Sequence, residues 1–418
     1  MLNRRHLALN LLLAAGIAAA GPAAIAPPPA THNAAAFSPI EAGQLLRRPF
    51  GTDLVELAYS ARQNALFVAA PNWEDETRSR LLRLDPATLA VTGEVALTGK
   101  GFGVALDDTA GRIYLTQAFN GAISVVDIQA MQLVRQVPMM EKVDFAETFQ
   151  RLAIPAHRTA TLLPQLQRMK MAVDYPWRLR EMVVDTQNER VFAPGLGLGL
   201  DSTLVVLNTR NLQAEKIIEG FGYNAVGIAL DARRGRVFVS NMRGQVFVVD
   251  ARTLQITATL EVEADQLLNM VYDPAGNRLI GVDQGIDRDK ARLQHLGTEY
   301  QRRSAGHRVF VLDADTGATL ANLPSAQVPI GLLFDGARQR LYVANRGGVR
   351  VKQGTGALTV YDMANYALLQ TLALAPHPNS LALDDAGGQL FVSVKNDENN
   401  KQARQDESVV RIRLRPGQ

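Results

Sequence analysis

The sequence predicts an all-β protein: a seven-bladed β-propeller with four antiparallel strands per blade, its last blade closed by an N-terminal strand. Three observations carry that expectation. A phrase of alternating apolar residues, a turn and an aspartate recurs along the chain, as in RVFVSNMRGQVFVVD (236–250), RIYLT (112–116) with AISVVD (122–127), RVFVLD (308–313), and RLYVAN (340–345) with LTVYD (358–362). The phrase returns at a spacing of about 40 residues plus insertions, which is the period of a four-stranded blade. The last unit is one strand short, and one strand candidate is left over at the other end of the chain.

Taken in chain order, residues 1–26 read as a secretory signal peptide: Arg4 and Arg5, an apolar run from Leu7 to Ala20, then small residues. A membrane span needs about 20 apolar residues, so no span is expected after cleavage, and the mature protein is expected to be periplasmic. Arg4-Arg5-His6-Leu7 resembles the start of a twin-arginine signal, and the general and twin-arginine export routes both stay open. Residues 27–42 are rich in proline and alanine and read as a disordered linker. The propeller is expected over 43–416, with insertions at 140–178 and 283–306.

The 418 residues are 47% apolar and 20% charged, a globular composition. There is no cysteine, which excludes disulfides, thiol catalysis, a lipidated cysteine anchor and covalently attached haem. The formal charge is +3; without the signal's two arginines it is 3 − 2 = +1, so bulk charge does not point to a polyanion.

Seven units begin near residues 54, 101, 180, 225, 267, 329 and 378. In each, a first strand ends at Ser60, Asp107, Asp185, Asp231, Asp273, Asp335 or Asp384, and a tight turn leads to a second strand. A third strand ends at Asp85, Asp127, Asn208, Asp250, Asp313 or Asp362, and a turn and a fourth strand complete the unit. Period-two alternation gives each strand two different faces. The aspartates and glycines suit tight turns, where an Asp side chain accepts from backbone N–H groups two residues on and Gly supplies positive φ. They are read as structural. The seventh unit holds only 379–384, 389–394 and 408–414, so QLLRRPF (44–50) is expected to supply its fourth strand.

Within an antiparallel blade, the first-to-second and third-to-fourth turns share one face of the disc. Second-to-third loops and crossovers share the other. The long segments 70–79, 140–178, 283–306, 346–356 and 395–407 are all of the second kind, so one face is elaborated and is expected to be functional. IDRDKARLQHL inside 283–306 suits a short helix, and GLGLGL (195–200) reads as a flexible loop because it opens no helix.

No G-x-S-x-G, H-E-x-x-H or Walker A motif is present. The histidines are not at metal-ligand spacing, and DQGIDRD (283–289) lacks the glycine and terminal glutamate of an EF-hand. No catalytic residue, metal ligand or cofactor is assigned. The ligand-binding candidates lie on the elaborated face: Trp73 and Trp177 in insertions; Arg180, Tyr223, His377 and Asn379 at the starts of first strands; and Asn241, Arg243, Asn345, Arg346 and Lys395 near the ends of second strands. Each tryptophan has a second reading, as an anchor for its own loop. The mouth of the channel is expected to be rich in Asn and Arg and poor in paired carboxylates, which suits hydrogen-bonded and anionic recognition better than hydrolysis.

RLYVANRGG with the following VYD resembles the YVTN-type propeller repeat. APHPNSLALDDAGGQLFVSVK with SVVRIRL is similar to the last blade of the YncE family of periplasmic propellers, and LLRLDPATLAVTGEV and RLREMVVDTQNERVFAPG resemble its first and third blades. The resemblance spans residues 43–416. It implies a seven-bladed, non-enzymatic periplasmic protein, in a family for which single-stranded DNA binding has been proposed. The 140–178 crossover and the 283–306 loop are longer than that pattern. The resulting expectation is an exported, monomeric propeller that binds a ligand or protein partner without catalysis. One alternative is single-stranded DNA binding, with Trp73, Trp177 or Tyr223 stacking on bases. A second is a metal- or quinone-dependent enzyme.

Overall fold

The computed structural model describes residues 37–51, 53–285, 304–347, 352–397, 399, 402–403 and 405–415. The expected signal peptide, most of the expected linker and the expected short helix within 283–306 lie outside the described residues.

Seven four-stranded antiparallel sheets follow one another as propeller blades. Their innermost strands are Leu57–Ser60, Gly101–Asp107, Val183–Asp185, Ile228–Asp231, Leu267–Asp273, Pro329–Asp335 and His377–Asp384. The ring closes as the strand count requires. Leu45–Phe50 pairs antiparallel with Glu407–Arg413, Leu45 opposite Ile412 and Phe50 opposite Glu407. The packed chain begins earlier than the linker boundary at 42. Ile40 is 3% exposed, and its N–H and C=O are both bonded to the Gln370 side chain on blade six, at 2.8 and 2.9 Å.

The core lies between blades, as blade faces that cannot bury themselves require. The third residue of the second strand is a fully buried aromatic in every blade but the fifth: Phe67, Tyr114, Phe192, Phe238, Tyr342 and Phe391. Each packs into a cluster shared with the following blade. In blade five the position is Ile280, and Phe310 of the third strand lies over Gly281 instead, where a Cβ would meet the ring at 2.2 Å.

The face of short turns is stapled by arginines at the starts of second strands. Arg236 holds Asp231 of its own blade at 2.8 Å and Asp315 of the next at 2.5 Å. Arg278 donates to the Met363 carbonyl at 2.7 Å, and Arg190 to the Ala251 carbonyl at 2.6 Å. Arg338, in the turn before the second strand of blade six, joins Asp335 to Asp385, at 2.9 and 2.5 Å. The turn aspartates therefore have structural partners, as their spacing suggests.

The other face carries the 70–79 loop and the 140–178 crossover. The 140–178 crossover folds into a helical hairpin, α1 (Phe145–Arg151) and α2 (Ala156–Arg168), standing on the paired two-residue strands Val143–Asp144 and Val173–Asp174. Asp144 caps α1 by accepting from the N–H groups of Ala146 and Glu147. Phe145, Phe149, Leu162 and Leu166 pack on Leu200 of blade three. GLGLGL is thus a seat, not a flexible loop. Residues 195–197 pair with Trp177–Leu179, and Gly199, at φ +77°, leaves room for Leu162, whose Cδ1 lies 2.6 Å from where a Cβ would sit.

Candidate ligand site at the channel mouth

The inner strands start on the elaborated face, so their first residues ring the mouth. Four residues before the strand-ending position the blades carry, in order, Glu56, Gly103, Glu181, Gly227, Asn269, Gly331 and Ser380. The three glycines have a steric reason. A Cβ on Gly103 would lie 1.9 Å from the Arg180 carbonyl oxygen, on Gly227 2.8 Å from that of Leu268, and on Gly331 2.3 Å from that of Asn379. In each case the following blade laps over the strand. Hydroxyls on second strands fasten the overlap. Thr116 Oγ1 accepts from Gly103 N–H at 2.8 Å and donates to the Arg180 carbonyl at 2.6 Å. Ser240 donates to the Leu267 carbonyl at 3.0 Å, and Ser393 to the Val55 carbonyl at 2.6 Å.

Because Gly103 is bare, blade three reaches across blade two toward blade one. Glu56 Oε2 accepts from Val104 N–H at 2.9 Å, and its carboxyl is hydrogen-bonded to that of Glu181. Burial first, then the adjoining Glu181 charge, push Glu56 well above the ordinary glutamate value. Burial also raises Glu181, against the pull of its bond from Glu56 and of Arg180. The pair therefore keeps a proton where ordinary glutamates have lost theirs, with Glu56 donating to Glu181. Burial lowers Arg180, opposed by both glutamates, and its guanidinium lies 4.8 Å from the Phe102 ring centre.

Outside this pair is a second cluster. Phe119, 44% exposed, has Arg178 at 5.1 Å and Lys100 at 5.7 Å from its ring centre, and meets Trp73 edge-on at 6.1 Å. Lys100 Nζ also donates to the Trp73 carbonyl at 3.0 Å. Arg178 is buried and paired with Asp174 at 2.6 Å. Blades one to three thus present Lys100 and Arg180 with Phe102, Phe119 and Trp73 in one sector, backed by the buried Arg178–Asp174 pair.

The structure divides the sequence candidates. Arg180 and Trp73 belong to this sector. Asn379 adjoins it, donating to the Val55 carbonyl at 3.4 Å. Trp177 is an anchor: its Nε1 donates to the Asp201 carbonyl at 2.9 Å. Asn241 is fully buried and caps its own loop, donating to the Phe221 carbonyl and Gln245 and accepting from the N–H groups of Arg243 and Gln245. Asn345 is equally buried and bonds Thr359 at 2.7 Å and Ser325 at 2.6 Å. Lys395 is drawn into the closing seam by the Leu54 carbonyl and by Glu407 at 3.1 Å. Tyr223, Arg243, Arg346 and His377 sit around blades four, six and seven and do not join the sector; backbone bonds link Tyr223 to Met242 and Arg346 to Val328, and His377 lies against Gly354. The expectation of a mouth poor in paired carboxylates is overturned by Glu56 and Glu181. Aligning the blades on their terminal aspartates would have set the two acids at one position. The first unit hid this by ending in Ser60.

Among the described residues, no group of three or more His, Cys, Asp or Glu side chains is placed to hold a metal ion, and no helix is long and apolar enough to cross a membrane.

These features define a seven-bladed propeller with one stapled face and one elaborated face around the channel mouth. No family model matches the chain. It is 25% identical over 387 residues to the protein YncE of Salmonella typhimurium, covering 91% of this chain and 94% of that protein. It is 27% identical over 380 residues to YncE of Escherichia coli K12, covering 90% and 93%. A solved structure of Kuenenia stuttgartiensis hydrazine synthase has a TM-score of 0.61 at 16% identity over 87% of this chain and 97% of that chain, a likeness of fold alone. The chain is a YncE-like β-propeller.

Proposed function

We propose that the protein is an exported, non-catalytic binding propeller whose elaborated face takes an anionic ligand with a flat or apolar body at the sector of blades one to three. The observation that carries this reading is the pair of cations Lys100 and Arg180, each lying over a phenylalanine ring, with the half-buried Trp73 edge-on to one of the two rings. Such an arrangement offers charge and ring surface together, and Arg is suited to bind anions while stacked. The test is a fluorescence titration of the mature chain with an aryl sulfonate, compared with a Lys100→Ala/Arg180→Ala double variant. Binding that weakens about tenfold or more in the variant, and weakens with salt, supports the reading. Equal affinity, or none in either protein, overturns it.

A second reading, single-stranded DNA, is favoured by Phe119 and Trp73 standing next to two cations. Trp177 is not part of it, since its indole is committed to Asp201. Binding of a labelled oligothymidylate must weaken steeply with salt. No affinity at low salt removes this reading and leaves the first intact.

A further inference from the structure

We propose that Glu56 and Glu181 form a proton-held clasp that fastens the start of blade three to blade one across blade two, closing this side of the channel mouth.

The argument begins with a break in a ladder. The second strand of blade three pairs with Trp177–Leu179 at one end and Val183–Asp185 at the other. Residues 180–182 lie between the two paired segments and have no register partner on that strand. The stretch leaves its own sheet and passes over Gly103, the Arg180 carbonyl occupying the space a side chain there would need. Two side-chain bonds hold it: Thr116 to the Arg180 carbonyl, and Glu181 to Glu56. Glu56 is in turn fixed to blade two by Val104 N–H.

Two carboxyl groups in hydrogen-bond contact need a proton between them. Without it they repel, and the stretch keeps the threonine bond and the Arg180–Phe102 contact alone of those named. The groups facing the pair are few. Arg180 comes from the same stretch, with Arg178 behind it. Blade two supplies the Val104 N–H and the uncharged Phe102 ring. Blade seven supplies Asn379, which donates to the Val55 carbonyl, and the Lys395–Glu407 pair, which holds Leu54, just before Glu56. Arg180 is the cation that bears on the pair, and burial outweighs its pull on both carboxyls. The clasp is therefore shut at low pH and released as pH rises through the raised value of the pair. Arg180 rides on the same stretch, so anion uptake at the mouth is proton-linked; this last step alone rests on the binding reading above.

The test is hydrogen exchange on the whole mature chain without ligand, corrected for the intrinsic effect of pH. Peptides covering 178–184 should lose protection by about tenfold as pH is raised from below 4.5 to well above it, while those covering 236–250 do not. Glu56→Gln keeps a donor toward Glu181 and an acceptor for Val104, so its 178–184 segment should stay protected across the range. The same pH profile in wild type and E56Q overturns the proposal. If E56Q does not fold, carboxyl NMR of the wild type decides: one glutamate should keep its proton far above the ordinary value of 4.5, and uniformly ordinary titrations overturn the clasp. Neither readout involves a ligand, so failure of the binding reading leaves the result standing.

Discussion

At the scale of single residues, the mouth depends on atoms that are missing as much as on those present. Gly103→Ala places a methyl group against the Arg180 carbonyl and should cost about 1–3 kcal/mol by forcing two blades apart. Gly336→Ala, where the nearest atom is 3.6 Å away, should be nearly neutral. Thermal denaturation of the two variants checks the contrast. Ser393→Ala leaves the Ser380 N–H without its buried partner and the Val55 carbonyl with only the long bond from Asn379, and should likewise cost about 1–3 kcal/mol. Such contacts were only partly legible in the sequence. The alternation Glu56, Gly103, Glu181, Gly227 can be read from aligned blades, but not how far one blade laps over the next. Asn241, Asn345 and Lys395 show the converse. A polar side chain at a strand end looks the same in sequence whether it greets a ligand or caps its own loop, and here burial committed all three to the scaffold.

Among elements, the closing strand was legible because a count of strands came out uneven at both chain ends. Removing residues 42–51 strips the edge of Glu407–Arg413, and should lower the melting temperature by on the order of 10 °C or abolish cooperative unfolding. The helical hairpin was not anticipated, since the repeat pattern drew attention to strands. Its signals were nonetheless local: Asp144 followed by Glu147 as a helix start, and Leu162 and Leu166 one turn apart on α2. What could not be read was its seat on residues 195–200, which lie in another blade's loop. Gly199→Val should collide with Leu162 and undock the hairpin. The expected outcome is rapid proteolytic cutting within 145–168 with little change in the melting of the propeller.

Over the whole molecule, the two faces should respond to pH in opposite senses. On the stapled face, the bond to Arg236 holds Asp315 below its usual value, and at Asp231 the upward push of burial is outweighed by Arg236 together with the Arg234 N–H and Tyr272. That stabilisation is present above 3.8 and is lost as pH falls through the lowered values. At the mouth, the raised Glu56 and Glu181 contribute stability that is full below 4.5 and fades as pH rises through their folded values. A melting profile across pH should therefore fall on both sides of a plateau, with Asp315→Asn acting on the acid limb alone and Glu56→Gln flattening the alkaline limb. The closing strand has one more consequence, for the order in which the molecule is made. Leu45–Phe50 leaves the ribosome long before its partner; the Gln44–Arg413 bond spans 369 positions. The first strand of the ring must wait, unsatisfied, through the birth of every intervening blade, so the last step of folding is the one that joins the ring's first and last strands, a contact order that makes ring closure the slow event and a nascent chain halted short of Glu407 an open arc.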